Sequence, residues 1–313
     1  MTAVLDIVLP MFGVLLCGYL AVRGGLLRGE AVKGLTGFVF FFAIPALLFH
    51  GIVTASPGKG DELAIVYAYF LGCIVLFAAT MLLGRAVFRL PLREQAVMAF
   101  TATFSNTVML GIPMIYAAFG QQGVLPVTLI TSFHSIILLT LATTIVELAA
   151  GTGRHFLRAL PQTLFALLRN PLLAAILAGF AARAAALHVP PVLDRFIALL
   201  AEAAAPCSLF ALGATLTSFR IAGDKVQSGV LVVLKLVVHP LVVWLMADEV
   251  FALAPIQVAV ATILAALPAG ANAFILAERY GVYLERTATC VLVTTVLSVA
   301  TTAVLLTHYA ALR

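Results

Sequence analysis

The sequence predicts an all-α integral membrane protein with ten transmembrane helices. Three observations support this class: an apolar composition, ten long apolar runs, and an uneven distribution of basic residues between the loops. Hydrophobic residues make up 63% of the 313 residues and charged residues only 10%, whereas soluble domains have about 45–50% and about 25%. So few charged side chains cannot cover a folded soluble protein, and the apolar surface is therefore expected to face lipid.

The apolar runs are long enough for membrane-spanning helices, which need about 20 residues each. They are continuous rather than alternating, and backbone amides in lipid need partners within their own segment, so helices are favoured over a β-barrel. Glycine and proline clusters separate the runs, for example Arg23-Gly24-Gly25 and Pro190-Pro191. The predicted spans are 4–22, 32–53, 63–87, 95–119, 124–147, 171–187, 194–218, 227–248, 256–279 and 287–310.

The basic residues of the loops predict the orientation. The loops that follow the odd-numbered spans contain thirteen Lys and Arg residues, and the opposite side contains four. Because Lys and Arg are enriched on the cytoplasmic side, both termini of this multi-pass cell-membrane protein are predicted to lie on the non-cytoplasmic side. The net charge of +5 then has an explanation that involves no nucleic-acid partner.

The two halves of the chain resemble each other at an offset of 161 residues. A first unit of five spans covers residues 1–147, a cytosolic connector covers 148–170, and a second unit covers 171–313. Five is an odd number, so the second unit must insert with the opposite orientation, and inverted repeats of this kind are typical of transporters. The aligned pairs include Pro10 with Pro171, Gly18 with Gly179, Pro45 with Pro206, and Gly120 with Gly281.

Spans four and nine are predicted to be interrupted at corresponding places. Span four contains Asn106-Thr107 followed by Gly111-Ile112-Pro113, and span nine contains Pro268-Ala269-Gly270-Ala271-Asn272. Proline removes a backbone hydrogen bond and glycine lets the backbone open, and the resulting half-helix N-terminus favours an anion. Pro113 is expected to begin the second half of span four, and Asn272 to cap the second half of span nine. The alternative is that these residues only kink the two helices.

These stretches, together with Phe38 through Phe49 in span two, resemble the auxin efflux carrier family, which includes plant PIN-type carriers and bacterial transporters for malonate and similar acids. The resemblance covers essentially the whole chain. It implies that spans four and nine cross at their breaks, that spans 1, 2, 6 and 7 form a scaffold, and that spans 3–5 and 8–10 form a moving transport domain. It also implies a homodimer formed through the scaffold.

The resemblance implies a secondary transporter of small organic anions that works by alternating access of the elevator type. A dicarboxylate such as malonate or malate is the favoured substrate, and an auxin-like monocarboxylate is the second. The candidate substrate-binding residues lie at the breaks, with one lysine from span eight. They are Asn106, Thr107, Gly111, Pro113, Lys235, Pro268, Gly270, Ala271 and Asn272, of which Pro113 and Pro268 are the predicted helix breaks.

Lys235 is the most informative ionisable residue in the apolar runs, because an intramembrane charge is costly. Half-helix dipoles supply only about half a charge each, so Lys235 is expected to reach the two breaks and replace a coupling cation. The alternative is a structural ammonium bonded to helix-end carbonyls. His239, one turn later, is either a proton or charge relay with Lys235 or a packing residue. His134 is expected to make an interhelical hydrogen bond, and the alternative is that it faces the cavity.

Other classes of protein have weaker support. A sodium-coupled organic-anion symporter of the bile-acid-carrier type has a related crossover, but no carboxylate accompanies the breaks here. A membrane enzyme would need a titratable cluster, and a sensor would need a soluble output domain. The sequence contains no HExxH, GxSxG or P-loop motif, and its four cysteines are far apart. Neither an enzyme activity nor a metal or other cofactor is expected.

Overall fold

The computed structural model describes residues 4–54, 62–150, 170–185, 187 and 189–312, and this part of the chain is helical without a β-strand. Both interrupted stretches appear as pairs of shorter helices. The predicted connector lies mostly outside the described residues. The helices are α1 Asp6–Arg23, α2 Gly29–Thr54, α3 Ala64–Ala86, α4 Leu92–Thr103, α5 Thr107–Phe119, α6 Gln121–Ala149, α7 Pro171–Ala184, α8 Pro191–Leu216, α9 Lys225–Val250, α10 Pro255–Ala266, α11 Ala271–Tyr280 and α12 Leu284–His308.

Seven helices of the described part are long and apolar enough to cross a membrane: α1, α2, α3, α6, α8, α9 and α12. The helices α5, α7 and α10 are apolar but shorter. Large apolar side chains such as Leu20, Phe41 and Leu82 lie exposed on the outer surface, which suits contact with lipid. These helices identify a multi-pass membrane protein.

One group of helices is held together by very close backbone contacts. A Cβ atom on Gly18 of α1 would overlap the carbonyl oxygen of Phe210 in α8, and a Cβ on Gly213 of α8 would overlap the carbonyl oxygen of Leu15 in α1. Small residues allow this approach in membrane helices, where van der Waals packing replaces the hydrophobic effect. The helices α2 and α7 also pack on each other, where Gly179 lies against the Ile52 side chain.

The remaining helices form a second group around the two interrupted pairs. The helix α3 packs on α4 and α9, α6 packs on α4 and α10, and α12 packs on α9 and α11. The two groups also touch each other, for example where Gly51 of α2 lies against the Val124 side chain of α6. The first interrupted pair also contacts the first group, where α5 packs on α8.

Polar capping fixes one end of the second group. The Asp224 carboxylate accepts hydrogen bonds from the backbone N–H groups of Gln227 (3.0 Å) and Val226 (2.8 Å) at the start of α9. The hydrogen bond from the Gln227 N–H makes the largest contribution to lowering the pKa of Asp224 below its ordinary value, and the bond from Val226 adds to it. At the same end, Arg286 of α12 forms an ion pair with Glu94 of α4 at 3.2 Å. The Ala222 N–H, just before α9, donates to Oγ1 of Thr289 in α12 at 2.9 Å, so the starts of α4, α9 and α12 are joined at this end.

We expect Gly213→Ala to destabilise the protein, because its new methyl group would occupy the position of the Leu15 carbonyl and push α1 from α8. Overpacking of this kind costs about 1–3 kcal/mol of unfolding free energy. Thermal unfolding of the purified protein in detergent should show a lower midpoint. The matched control is Gly13→Ala in α1, where a Cβ meets no atom within 4 Å. Equal midpoints for the two variants would contradict the close packing.

Candidate functional site

The first interruption lies at residues 104–106, between α4 and α5. The chain leaves helical geometry at Phe104, whose ψ is 105°, and the Asn106 side chain caps α5 by accepting a hydrogen bond from the Met109 N–H at 3.3 Å. The prediction that Pro113 begins the second half-helix is wrong. Pro113 lies inside α5, after a wide π-helical turn at Thr107–Gly111, and such a turn accommodates a residue that has no N–H.

The second interruption lies at residues 267–270, between α10 and α11. Leu267 and Gly270 are both extended, with ψ of 157° and 150°, and Pro268 lies between them as predicted. The expected capping role of Asn272 is wrong, because Gly270 occupies the cap position without any side chain and α11 begins at Ala271. Asn272 is instead the exposed second residue of α11.

The two interruptions meet and satisfy each other. The Asn106 N–H donates to the Pro268 carbonyl at 2.9 Å, and the Gly270 N–H donates to the Phe104 carbonyl at 2.9 Å. Ser105 and Ala269 are thereby paired in an isolated antiparallel bridge. Backbone groups freed by a broken helix need such partners in the absence of water. This pair of hydrogen bonds and its six residues, 104–106 and 268–270, are called the crossing below.

Two glycines lie where side chains of the broken helices approach the backbone most closely. A Cβ on Gly270 would lie 2.9 Å from Cδ1 of Phe104, and a Cβ on Gly111 would lie 2.7 Å from Cδ2 of Leu264. Both distances are shorter than real carbon contacts. The two predicted glycines therefore permit the packing of the broken helices, and Gly111 does so from inside α5 against α10.

Threonines of α12 support the second interruption from behind. The Ala269 N–H donates to Oγ1 of Thr294 at 3.1 Å, and Oγ1 of Thr301 donates to the Ala266 carbonyl at 3.4 Å. Neither threonine is among the site residues predicted from the sequence. Their signal is the seven-residue spacing that places Thr294 and Thr301 on one face of an otherwise apolar helix.

Lys235 lies fully buried beside the crossing. Its ammonium nitrogen Nζ donates to Oγ of Ser105 at 2.8 Å and to the Ala265 carbonyl at 2.6 Å, and it lies 3.1 Å from Nδ1 of His239. The first contact reaches one interruption and the second reaches the C-terminal end of α10, so the expected approach to both breaks is present. The hydrogen bond to the Ala265 carbonyl is also the contact expected if Lys235 has only a structural role at a helix end. A lysine ammonium has three donors, and each has a partner here.

The two predicted relay residues are in direct contact through the Lys235–His239 hydrogen bond. The other ring nitrogen of His239, Nε2, lies 3.3 Å from Sγ of Cys73 on α3. His239 thus connects α3 to the lysine, and it is fully buried. The Cys73 sulfur is therefore an additional polar neighbour, which the wide spacing of the cysteines does not identify.

His134 of α6 does not make the expected interhelical hydrogen bond. Neither Nδ1 nor Nε2 has a hydrogen-bond partner in the described part of the protein, and the ring is 1% exposed. Its centre lies 4.4 Å from that of Phe104, at the crossing, and 6.0 Å from that of Tyr69. An ionisable ring without partners therefore lies directly against the first interruption.

The geometry brings two helix N-termini to one place. The helices α5 and α11 begin directly after the crossing, at Thr107 and Ala271. The first N–H groups of a helix lack intrahelical partners and form an anion-binding end. Most of the predicted set is gathered here, whereas Pro113 lies two turns away within α5. The gathered residues are Asn106, Thr107, Lys235, Pro268, Gly270, Ala271 and Asn272.

Known proteins resemble this chain along nearly its whole length. Residues 3–306 match the family described as membrane transport protein. The chain is 33% identical over 302 residues to a Rhizobium meliloti protein provisionally named a malonate transporter, a match that covers 96% of this chain and 94% of that protein. It is 25% identical over 215 residues to an uncharacterized transporter of Methanocaldococcus jannaschii, with 68% and 69% covered.

The plant carriers match over a shorter part. Auxin efflux carrier component 3 of Arabidopsis thaliana is 28% identical over 119 residues, which is 38% of this chain and 18% of that protein. These matches confirm the resemblance found in the sequence motifs. The chain therefore belongs to the membrane transport protein family that includes the auxin efflux carriers, and it is a multi-pass membrane transporter and not an enzyme.

Proposed function

We propose that the protein is a secondary transporter of small organic anions that binds its substrate at the crossing. The observation that carries this proposal is the meeting of two helix N-termini with one buried lysine. A dicarboxylate of the malonate type is the favoured substrate, and an auxin-like monocarboxylate is the second candidate. The name of the Rhizobium meliloti relative, which is similar over 94% of its length, supports the same choice.

The charge of Lys235 is the main electrostatic argument for an anion. Its three contacts are a hydroxyl, a carbonyl and an imidazole, and no ion pair joins it to a carboxylate in the described part of the chain. A buried charge without an opposite charge is costly. A substrate carboxylate at the neighbouring helix N-termini would supply the missing negative charge.

The position of this ammonium also supports sodium-independent binding. A sodium-coupled symporter would place a cation next to the broken helices, among oxygen ligands. In this chain Nζ of Lys235 lies there and uses the oxygens of Ser105 and Ala265. The Lys235 ammonium would thus take the place of a bound sodium ion, so substrate binding at the crossing would need no coupling sodium.

The proposed architecture counts each interrupted pair as one span and adds the short helix α7. This gives ten spans, in two inverted units at residues 1–147 and 171–313, with both termini on the non-cytoplasmic side. The glycine contacts between α1 and α8 support a rigid scaffold made of α1, α2, α7 and α8. The second group of helices would move against it in an elevator-type cycle, and the scaffold would form a homodimer.

A cysteine-accessibility scan tests this architecture. In a variant without Cys17 and Cys207, the two cysteines that are not buried, a cysteine introduced at Gly58 or Gln121 should react with an impermeant maleimide added outside the cell. Cysteines at Gly29 and Gly153 should react only after the membrane is made permeable. Labelling in the reverse sense, or both termini in the cytoplasm, would contradict the proposed orientation.

Asn272 tests the binding site without disturbing the crossing, because its side chain is exposed at the start of α11. We expect Asn272→Leu to lower the affinity for malonate at least about tenfold, since a hydrogen bond to a charged group contributes about 1.5–3 kcal/mol. Thermal stabilisation of the purified protein by malonate measures this affinity.

The matched control is Gln122→Leu, an exposed amide at the start of α6. It should bind malonate as the wild type does.

For Asn106 the informative change is Asn106→Ser, because serine retains a capping oxygen for α5 and loses the amide. Wild-type affinity in both asparagine variants would assign these residues a purely structural role.

Lys235 is tested by Lys235→Met, which keeps the length of the side chain and removes its charge. Malonate binding should be lost, and wild-type binding should not depend on sodium. Because Lys235 also bonds Ser105 and Ala265, Lys235→Gln is added, since its amide can still donate to one of them. Retained affinity in a folded variant, or a sodium requirement in the wild type, would show that Lys235 is structural.

A further inference from the structure

His134 occupies a position that the proposed binding site does not use. It lies thirteen residues after the first residue of α6, or roughly 20 Å along the helix axis, at the depth of the crossing. Its ring contacts Phe104 at 4.4 Å and Phe70 at 6.4 Å between centres. The imidazole is therefore buried among aromatic rings and touches the segment that forms the first interruption.

The lack of hydrogen bonds makes this position costly. An imidazole has one donor and one acceptor when neutral, and neither ring nitrogen of His134 has a partner among the described residues. Leaving such groups buried and unpaired costs about 1–3 kcal/mol each. Phenylalanine would pack against Phe104 without this cost. The fold alone thus gives no reason for an ionisable ring here, and intramembrane ionisable groups generally mark ion or proton pathways.

Other unpartnered polar groups lie next to His134 on the same helix. Thr128 and Thr131 precede it at intervals of three residues, which makes them neighbours on the helix surface. Both are buried, and their Oγ1 atoms have no partner in the described structure. This row of polar groups runs from His134 toward the N-terminal end of α6, the end predicted to face the outside.

On the side of His134 that faces α3, Tyr69 continues the row of polar groups toward Lys235. The ring of Tyr69 on α3 lies 6.0 Å from that of His134 and 6.1 Å from that of His239, which bonds Lys235. The Tyr69 side chain also interacts with Ser105 at the crossing and with Cys73, so it connects His134 to the neighbours of Lys235.

The ionisable groups that face His134 can be named for each neighbouring helix. They are Tyr69 and Cys73 on α3 and Lys235 and His239 on α9. The other helices packed on α6 carry their charged groups near helix ends, away from this depth. Those end groups are Glu30, Lys33 and His50 of α2, Arg93 and Glu94 of α4, and Arg183 of α7.

We propose that His134 is the proton-binding site of the transporter and accepts one proton when the substrate anion occupies the crossing. This inference rests on the proposed function and adds its coupling ion. In the empty site the Lys235 ammonium opposes a second positive charge nearby, because charges interact strongly in a medium of low dielectric constant. A bound dicarboxylate reverses that balance. The proton passes from water to a ring nitrogen by way of Thr128 and Thr131, and no other bond changes.

The stoichiometry of charge supports this coupling. A dicarboxylate carries two negative charges, and Lys235 and a protonated His134 together carry two positive ones. The loaded site is then neutral, and a neutral site crosses the membrane interior at much lower cost than a charged one. A monocarboxylate would be balanced by Lys235 alone and would take up no proton at His134.

Proton uptake on binding tests the proposal. Malonate is added to the purified full-length protein in weakly buffered detergent solution with a pH indicator, at a pH above the range in which malonate itself titrates. The wild type should take up about one proton for each malonate bound. Its affinity should fall as the pH rises, by up to about tenfold per pH unit, because one proton is linked to binding.

The variants separate His134 from other histidines. His134→Gln should bind malonate without proton uptake and with an affinity that no longer depends on pH, whereas the exposed His308→Gln should behave as the wild type does. His134→Phe, which retains ring packing against Phe104, gives a second variant if the glutamine variant does not fold. Proton uptake that persists in a folded His134 variant, or none in a wild type that binds malonate, would overturn the proposal.

The same experiment distinguishes this inference from the proposed function. If mono- and dicarboxylates all fail to stabilise the wild-type protein, the anion site itself is wrong and the coupling falls with it. If malonate binds without proton uptake, only the role of His134 is wrong. Proton uptake with malonate and none with a monocarboxylate that binds equally well would support the charge balance described above.

Discussion

The structure depends on one constraint, which is that backbone groups inside a membrane need partners that water cannot supply. Two helices break near the middle of the chain's apolar region, and each break frees N–H and C=O groups. The crossing resolves this by pairing Asn106 with Pro268 and Gly270 with Phe104. Neither break is favourable alone, because each supplies the hydrogen-bond partners of the other. The two helix N-termini that result are therefore held at a fixed distance before any ligand arrives.

This mutual support explains why polar side chains gather behind the crossing. The Ala265 and Ala266 carbonyls at the end of α10 and the Ala269 N–H in the break are satisfied by Lys235, Thr301 and Thr294. The lysine therefore has a structural role as well as the proposed electrostatic one, and the two are compatible. An ammonium held by neutral oxygens keeps its charge available to a neighbouring site, whereas a carboxylate partner would cancel it.

The sequence predicted the membrane class, the family and the place of the two interruptions, because hydropathy and Gly/Pro content depend on local chemistry. The sequence did not predict features that depend on tertiary packing, such as the residue at which a helix begins and the partners of buried polar side chains. Pro113 was chosen over residues 104–106 because proline is the stronger local signal, yet Asn106 sets the helix start through a hydrogen bond that composition does not reveal. The contacts of Cys73 and Thr294 with residues 166 and 25 positions away follow only from the three-dimensional fold. His134 was expected to have a partner, which only the fold could test.

The separation of the chain into two groups of helices follows from how each group packs. Between α1 and α8 the backbones touch at Gly18 and Gly213, so sliding would bring carbonyl oxygens against the Cβ atoms of neighbouring residues. Between α2 and α6 the contact at Gly51 is made by the branched side chain of Val124, which can exchange neighbours as surfaces slide. A rigid interface within one group and a side-chain interface between groups are the properties that alternating access requires of a scaffold and a moving part. The crossing, Lys235 and His134 all belong to the same group, so the proposed anion and proton sites would travel together.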